Sequence, residues 1–239
     1  MGKISKNKVM SILAISLLLI SAFPVILAET QEGSEKLAAD VLYSRYMTFH
    51  QKSEMVIIAM DAIIDLYKEN SINTSELTNL KVKLNELDAQ AKIAAQEINR
   101  DEFYAVVEES RETIKSFMDI VKENDVEGQS ESVKTAIQGN KEYLTGLRNE
   151  TSEVKKGIYF KAIDNRLEKL EQISNRLEEK GADVTEINEK IDEISDNRSK
   201  ISEESDREEL KAFYQDAKED TKELRELIKE AIKEIKENE

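Results

Sequence analysis

Apolar residues recur at alternating steps of three and four along nearly the whole chain after its N-terminal segment, as in Leu77, Leu80, Leu84, Leu87, Ala91, Ala94 and Ile98. That spacing lays one continuous apolar seam along a helix. No stretch alternates long enough for a strand, the only proline is Pro24, and strong helix formers dominate. The expected fold class is therefore all-α, an elongated antiparallel helical bundle or coiled coil, built as one long unit or as two three-helix units in tandem. A side chain spent on a seam is lost to chemistry, and what the seams leave over is a charged exterior.

The first residues follow a different plan. Lys3, Lys6 and Lys8 precede an apolar run from Val9 to Phe23, Pro24 breaks it, and Ala28 stands before Glu29. This is the layout of a secretory signal occupying residues 1–28, with cleavage after Ala28. The stretch from Val9 to Ala28 is also long enough to span a bilayer as an uncleaved anchor, the one route by which the sequence suggests membrane contact. The chain has 35 basic and 50 acidic residues, a net charge of −15, and loss of the three N-terminal lysines would make it more negative. An acidic surface repels nucleic acid and anionic lipid, so no nucleic-acid partner is expected. With no cysteine, disulfides, thiolate metal sites and cysteine nucleophiles are excluded, and stability must come from packing.

The seams divide the chain. A helix is expected over Ser34–Glu69, apolar on more than one stripe between Met55 and Ile64 and so the most buried. Asn73 with Glu76, Asn99 with Glu102, Asp183 with Glu186 and Ser205 with Glu208 have the spacing of capping boxes and mark four further helix starts. A loop is expected from Asn124 to Ser130, then a weaker helix over Glu131–Lys155 interrupted by Gly139 and Gly146. The seam loses phase at Gly157 and restarts with Phe160, Ile163, Leu167, Leu170 and Leu177, which predicts a kink or break there. The resulting division is a signal at 1–28, a three-helix unit at 29–124, a connecting segment at 125–157 and a second three-helix unit at 158–239.

The two halves share a plan. The Asn73/Glu76 and Asp183/Glu186 pairs lie 110 residues apart, as do Phe103-Tyr104 and Phe213-Tyr214. An internal duplication accounts for this, and so does the readiness of any two heptad sequences to align at their seams. The tandem arrangement resembles a spectrin-type repeat in length and helix count, though without aromatic signature residues.

Candidate chemistry is sparse. His50 is the only histidine, and with Met47 and Glu54 on the same helix it forms a weak candidate copper site, since thioether and imidazole are ligands copper accepts. A lone histidine supports neither a His-rich zinc site nor a di-iron pair. The carboxylates Glu203, Glu204, Asp206, Glu208 and Glu209 lack the order of a calcium loop and suit a helix start electrostatically. No cofactor and no catalytic residue is indicated: phosphate loops, nucleophile elbows and dinucleotide fingerprints are absent, and there is no tryptophan to line a sugar cleft. Three N-x-[ST] triplets offer glycosylation acceptors at Asn149, Asn73 and Asn197 in an exported chain.

The function expected from these features is non-catalytic: a secreted or surface-exposed scaffold, spacer or interaction module that binds a protein of the cell envelope or itself. Ile228, Ile232 and Ile235 widen the last apolar stripe and are the expected contact residues. The other expectation is an extracytoplasmic ligand- or metal-binding bundle of the sensor or chaperone kind.

Overall fold

The computed structural model describes residues 34–124, 126–202, 205 and 207–238. They form a packed helical bundle without strands: α1 (Ser34–Glu69), α2 (Ser75–Gln96), α3 (Arg100–Asn124), α4 (Gln129–Gly139), α5 (Lys141–Glu179), α6 (Thr185–Ser199) and α7 (Arg207–Asn238). The all-α expectation holds. No described helix is long and apolar enough to cross a membrane. The segment 1–28 read as a signal lies outside the described residues.

The chain divides into two compact units, the first ending at Lys155 and the second beginning at Lys156. The seams of α1, α2 and α3 close the first core around Leu42, Phe49, Met60, Leu84, Phe117 and their neighbours. Its largest members are aromatic: Phe49 and Phe103 meet edge to face at 6.4 Å, and the Tyr67 hydroxyl, fully inside, donates to the Val121 carbonyl at 3.2 Å. Tyrosine fits there because its one polar atom has a partner. Two seam positions hold serine instead, Ser53 and Ser110, both buried. Ser110 satisfies its hydroxyl on the Val106 carbonyl at 2.8 Å.

The helix α4 covers the first unit. Val133 is completely buried in the core, the Ser132 hydroxyl donates to the Ala62 carbonyl at 3.1 Å, and Gln129 donates to the Tyr67 hydroxyl at 2.8 Å. At 11 residues α4 is too short to be stable alone, so this docking holds it. The second core is smaller and purely aliphatic apart from alanine, joining Leu167, Leu170 and Leu177 of α5 to Ile187, Ile191 and Ile194 of α6 and Leu224 and Ala231 of α7.

The break expected at Gly157 does not occur: α5 runs unbroken through Gly146 and Gly157. The interruption falls earlier, at Asn140, whose side-chain amide donates to the Ala136 carbonyl at 2.9 Å and closes α4. Each interior glycine costs about 1 kcal/mol, which tertiary packing outweighs. The lost phase has another cause. Val154 packs against the first core and Ile163 against the second, so the apolar stripe rotates where the helix changes the core it serves.

Of the three sites whose caps the described residues show, one follows expectation. The amide of Glu102 donates to the Asn99 side chain at 3.2 Å while the Asn99 amide group donates to the Glu102 carboxylate at 2.7 Å. Asn73 and Asp183 lie one residue too early to cap, because Thr74 and Val184 occupy the cap positions. Each instead accepts the backbone N–H two residues on, at 3.0 Å in both cases. Ser205 accepts from the Ser202 N–H.

These two turns share their positive φ and the main bonds that close the helix before them. Ser71 and Gly181 both take positive φ, 58° and 84°. The following amides, of Ile72 and Ala182, reach back to Tyr67 and Leu177 carbonyls at 2.9 and 3.1 Å, the helix ending that a left-handed residue permits. A third such ending closes α2, with Ile98 at φ 59°. Ile98 thus leaves the seam in which its spacing placed it and stands exposed. A β-branched residue there is strained.

Candidate functional site

His50 lies mid-way along α1, half-buried, and its Nδ1 sits 2.8 Å from Asp88 Oδ2 of α2. The ring stacks on Tyr46, centroids 5.6 Å apart. The other carboxylate oxygen, Asp88 Oδ1, is buried with no hydrogen-bond partner. A carboxylate held this way favours a charged imidazole, and the hydrogen bond to Asp88 raises the His50 pKa, opposed by burial and reinforced by the charges of Asp88, Glu54 and Glu150.

The other two residues of the proposed copper site have partners of their own or lie in the core. Met47 is buried in the core, and Glu54 accepts a hydrogen bond from the Tyr143 hydroxyl of α5 at 2.8 Å. Tyr143 is accordingly hard to ionise: desolvation first, then its bond to Glu54, pushes it up to about 12. Among the described residues no group of three or more His, Asp or Glu is placed to hold a metal. What the cluster does is tie α1 to α2 through one bond and to α5 through another.

Because the folded state binds the His50 proton more tightly than the unfolded chain, the stabilisation is complete below the ordinary histidine value of 6.5 and is lost as pH climbs through the higher folded value. The expected result is a urea midpoint that falls as pH rises from about 6 upward. In His50→Gln the pH slope should flatten, with a cost at pH 6 on the order of 1 kcal/mol for the lost charged bond. A slope unchanged by the substitution would remove His50 as its source.

No family model, curated protein or solved structure matches this chain. Its function therefore has to be argued from its surface.

A shallow groove of about 330 Å³ runs between α2 and α3, lined by Val82, Glu86, Leu87 and Glu109 among others, with the Lys83–Glu109 ion pair at 2.7 Å crossing it. In the second unit the ammonium of Lys190 joins α6 to α7 through Asp220 at 3.4 Å and Glu223 at 3.0 Å, besides Glu193 at 2.7 Å on its own helix. Those bonds, Glu193 first, hold its pKa above the usual lysine value. Lys190 is thus a strut rather than a reactive amine.

Of the contact residues expected from sequence, Ile228 and Ile235 pack half-buried against the second core, and Ile232 is exposed. Other large aliphatics are exposed too, namely Val82, Ile93 and Ile173. Sequence reading overlooked these because they lie off the seams, although their spacing from neighbouring charges is visible in the helical period. Among the glycosylation candidates, Asn149 and Asn73 are exposed and Asn197 is half-buried, its side-chain oxygen accepting from Lys200 at 3.2 Å.

Proposed function

We propose that this chain is an exported, non-catalytic helical-bundle protein that acts as a scaffold, spacer or protein-interaction module at the cell surface or outside the cell. One observation carries the reading: several ionisable side chains pair across helices, as His50–Asp88, Tyr143–Glu54 and Lys190–Asp220 do, while exposed aliphatics stand on outward helix faces. Side chains held in such struts brace one helix against another, and aliphatics facing water favour contact with another apolar surface. The matching turns at Ser71 and Gly181 support a further part of the reading, that the two halves are tandem copies of one helix–turn–helix plan.

Cross-linking on intact producing cells, with a C-terminal tag and mass spectrometry of the captured material, tests this. A reproducible partner or self-link through lysines of one helix face is expected, on a protein whose mature N-terminus is Glu29. Capture of nothing, or a chain found only inside the cell with Met1 retained, would overturn it.

A further inference from the structure

The first half of α5 lies lightly on the first unit. Over residues 141–155 Thr151 is buried, Leu144, Leu147 and Val154 are half-buried, and the others are exposed. The Tyr143 hydroxyl donates to the Glu54 carboxylate of α1 at 2.8 Å, and the Thr151 hydroxyl reaches the Met47 carbonyl at 3.4 Å. By contrast, α4 seats a completely buried valine, Val133. A segment with so little buried apolar surface opens at low cost.

His50 stands where this segment meets α1 and α2. The titratable groups around its ring come from all three helices. From α1 come Tyr46, stacked on the ring, with Tyr43 and Glu54; from α2 comes Asp88; from α5 come Glu150, and Tyr143 through its bond to Glu54. Protonated, the ring is a cation facing carboxylates of each helix. Asp88 is little screened by water, since its side chain is 14% exposed and its Oδ1 is buried without a hydrogen-bond partner.

Loss of the proton acts unequally on these helices. A neutral imidazole can still carry hydrogen on Nδ1 and donate to Asp88, so the bond between α1 and α2 survives. What disappears is the attraction for Glu150, and Asp88, Glu54 and Glu150 then face one another across an uncharged ring. A shared core holds α1 to α2, whereas residues 141–155 reach that core through half-buried Val154. The pKa of Lys52 on α1 is lowered, by burial first and then by the charges of Lys155 and Arg111, so Lys155 adds a repulsion between α5 and α1. The first half of α5 is therefore the element that gives.

We propose that His50 is a proton-operated latch for the first half of α5: the imidazolium holds residues 141–155 against α1 and α2, and the neutral ring lets them lift. Lifting takes Thr151 from the Met47 carbonyl and Leu144 and Leu147 from their seat, so this apolar surface is covered in acid and displayed at higher pH. The latch works whether or not the chain scaffolds other proteins.

The chain has no cysteine and a single histidine, so both the segment and its latch can be followed directly. Asn85→Cys on α2 and Asn149→Cys on α5, both exposed positions, take a pair of spin labels for double electron–electron resonance on the full chain. At about pH 5.5 one distance should dominate, and at about pH 8.5 the population of a longer one should grow by about fivefold or more. In a His50→Gln background the two distributions should coincide, and in Glu150→Gln the longer distance should shrink at the higher pH. Linkage is reciprocal, so the latch is also testable with His50 intact. Thr151→Gln puts a longer neutral side chain into a seat that is 3% exposed. It should lift the segment and lower the His50 titration midpoint seen by proton NMR, with helix content by circular dichroism unchanged. Distances that ignore pH in the wild type, a pH response that persists in His50→Gln, or a titration unmoved by Thr151→Gln would each overturn the latch.

Discussion

Replacing Phe103 with alanine should remove about 3–5 kcal/mol from the stability of the first unit. Phe103 is fully buried and meets Phe49 edge to face. Truncation takes away the ring's transfer energy, the aromatic pair and the packing of every atom that lined it. Backbone hydrogen bonds hold the surrounding helices rigid, so the void closes only in part. Domains are stable by about 5–15 kcal/mol in all, so a loss of this size moves the denaturation midpoint far to the left. Equilibrium urea unfolding followed by circular dichroism measures it. Phe213→Ala in the second unit, also buried, gives the comparison. A change below about 1 kcal/mol at Phe103 would mean that the first core is not packed as described.

The second large effect is expected at Val133→Asp. Val133 has no exposure and sits beneath α4, on the first core. A carboxylate there enters an apolar core, and burying it uncompensated costs about 3 kcal/mol or more, whether it stays charged or takes up a proton. The less costly response is local: α4 leaves its seat, breaks the Ser132 and Gln129 bonds, and uncovers Ile63. Hydrogen exchange should therefore lose protection across 129–139 and around Ile63, while protection across α6 and α7 stays as in the wild type. Retained protection over 129–139 would show that α4 does not depend on its docked face.

How much of this was legible in sequence varies by element. The helix Ser34–Glu69 was found within its approximate bounds, because its seam is uninterrupted and Asn70, Ser71 and Ile72 end it with residues that suit a turn. The capping pairs were located near their helices, but Asn73 and Asp183 each sit one residue before the cap that forms, since a side chain bonds whichever amide the turn presents. Gly157 misled for a plainer reason. A phase shift in a seam looks the same whether the helix breaks or keeps going and turns its stripe to a new core, and local propensity cannot distinguish the two.

The histidine site was half legible. His50 stood out by being alone, but its partner Asp88 belongs to another helix, 38 residues away. Among the exposed aliphatics Ile232 was expected as a contact residue, and Val82, Ile93 and Ile173 were missed because seam analysis selects what is buried. Val82, Ile93 and Ile173 stand out only once the packing shows that no described helix covers them.

The sequence by itself determined that this protein is all-α, where most of its helices lie and which side chains enter its cores, because helical period and burial are coupled through the 3.6-residue turn. It also determined that thiol chemistry is excluded. Tertiary structure alone decided which seam serves which core, that α4 covers the first unit and no described helix covers the same face of the second, and that His50 meets Asp88. Those outcomes depend on contacts between residues far apart in the chain, and a periodic pattern carries no record of its partner.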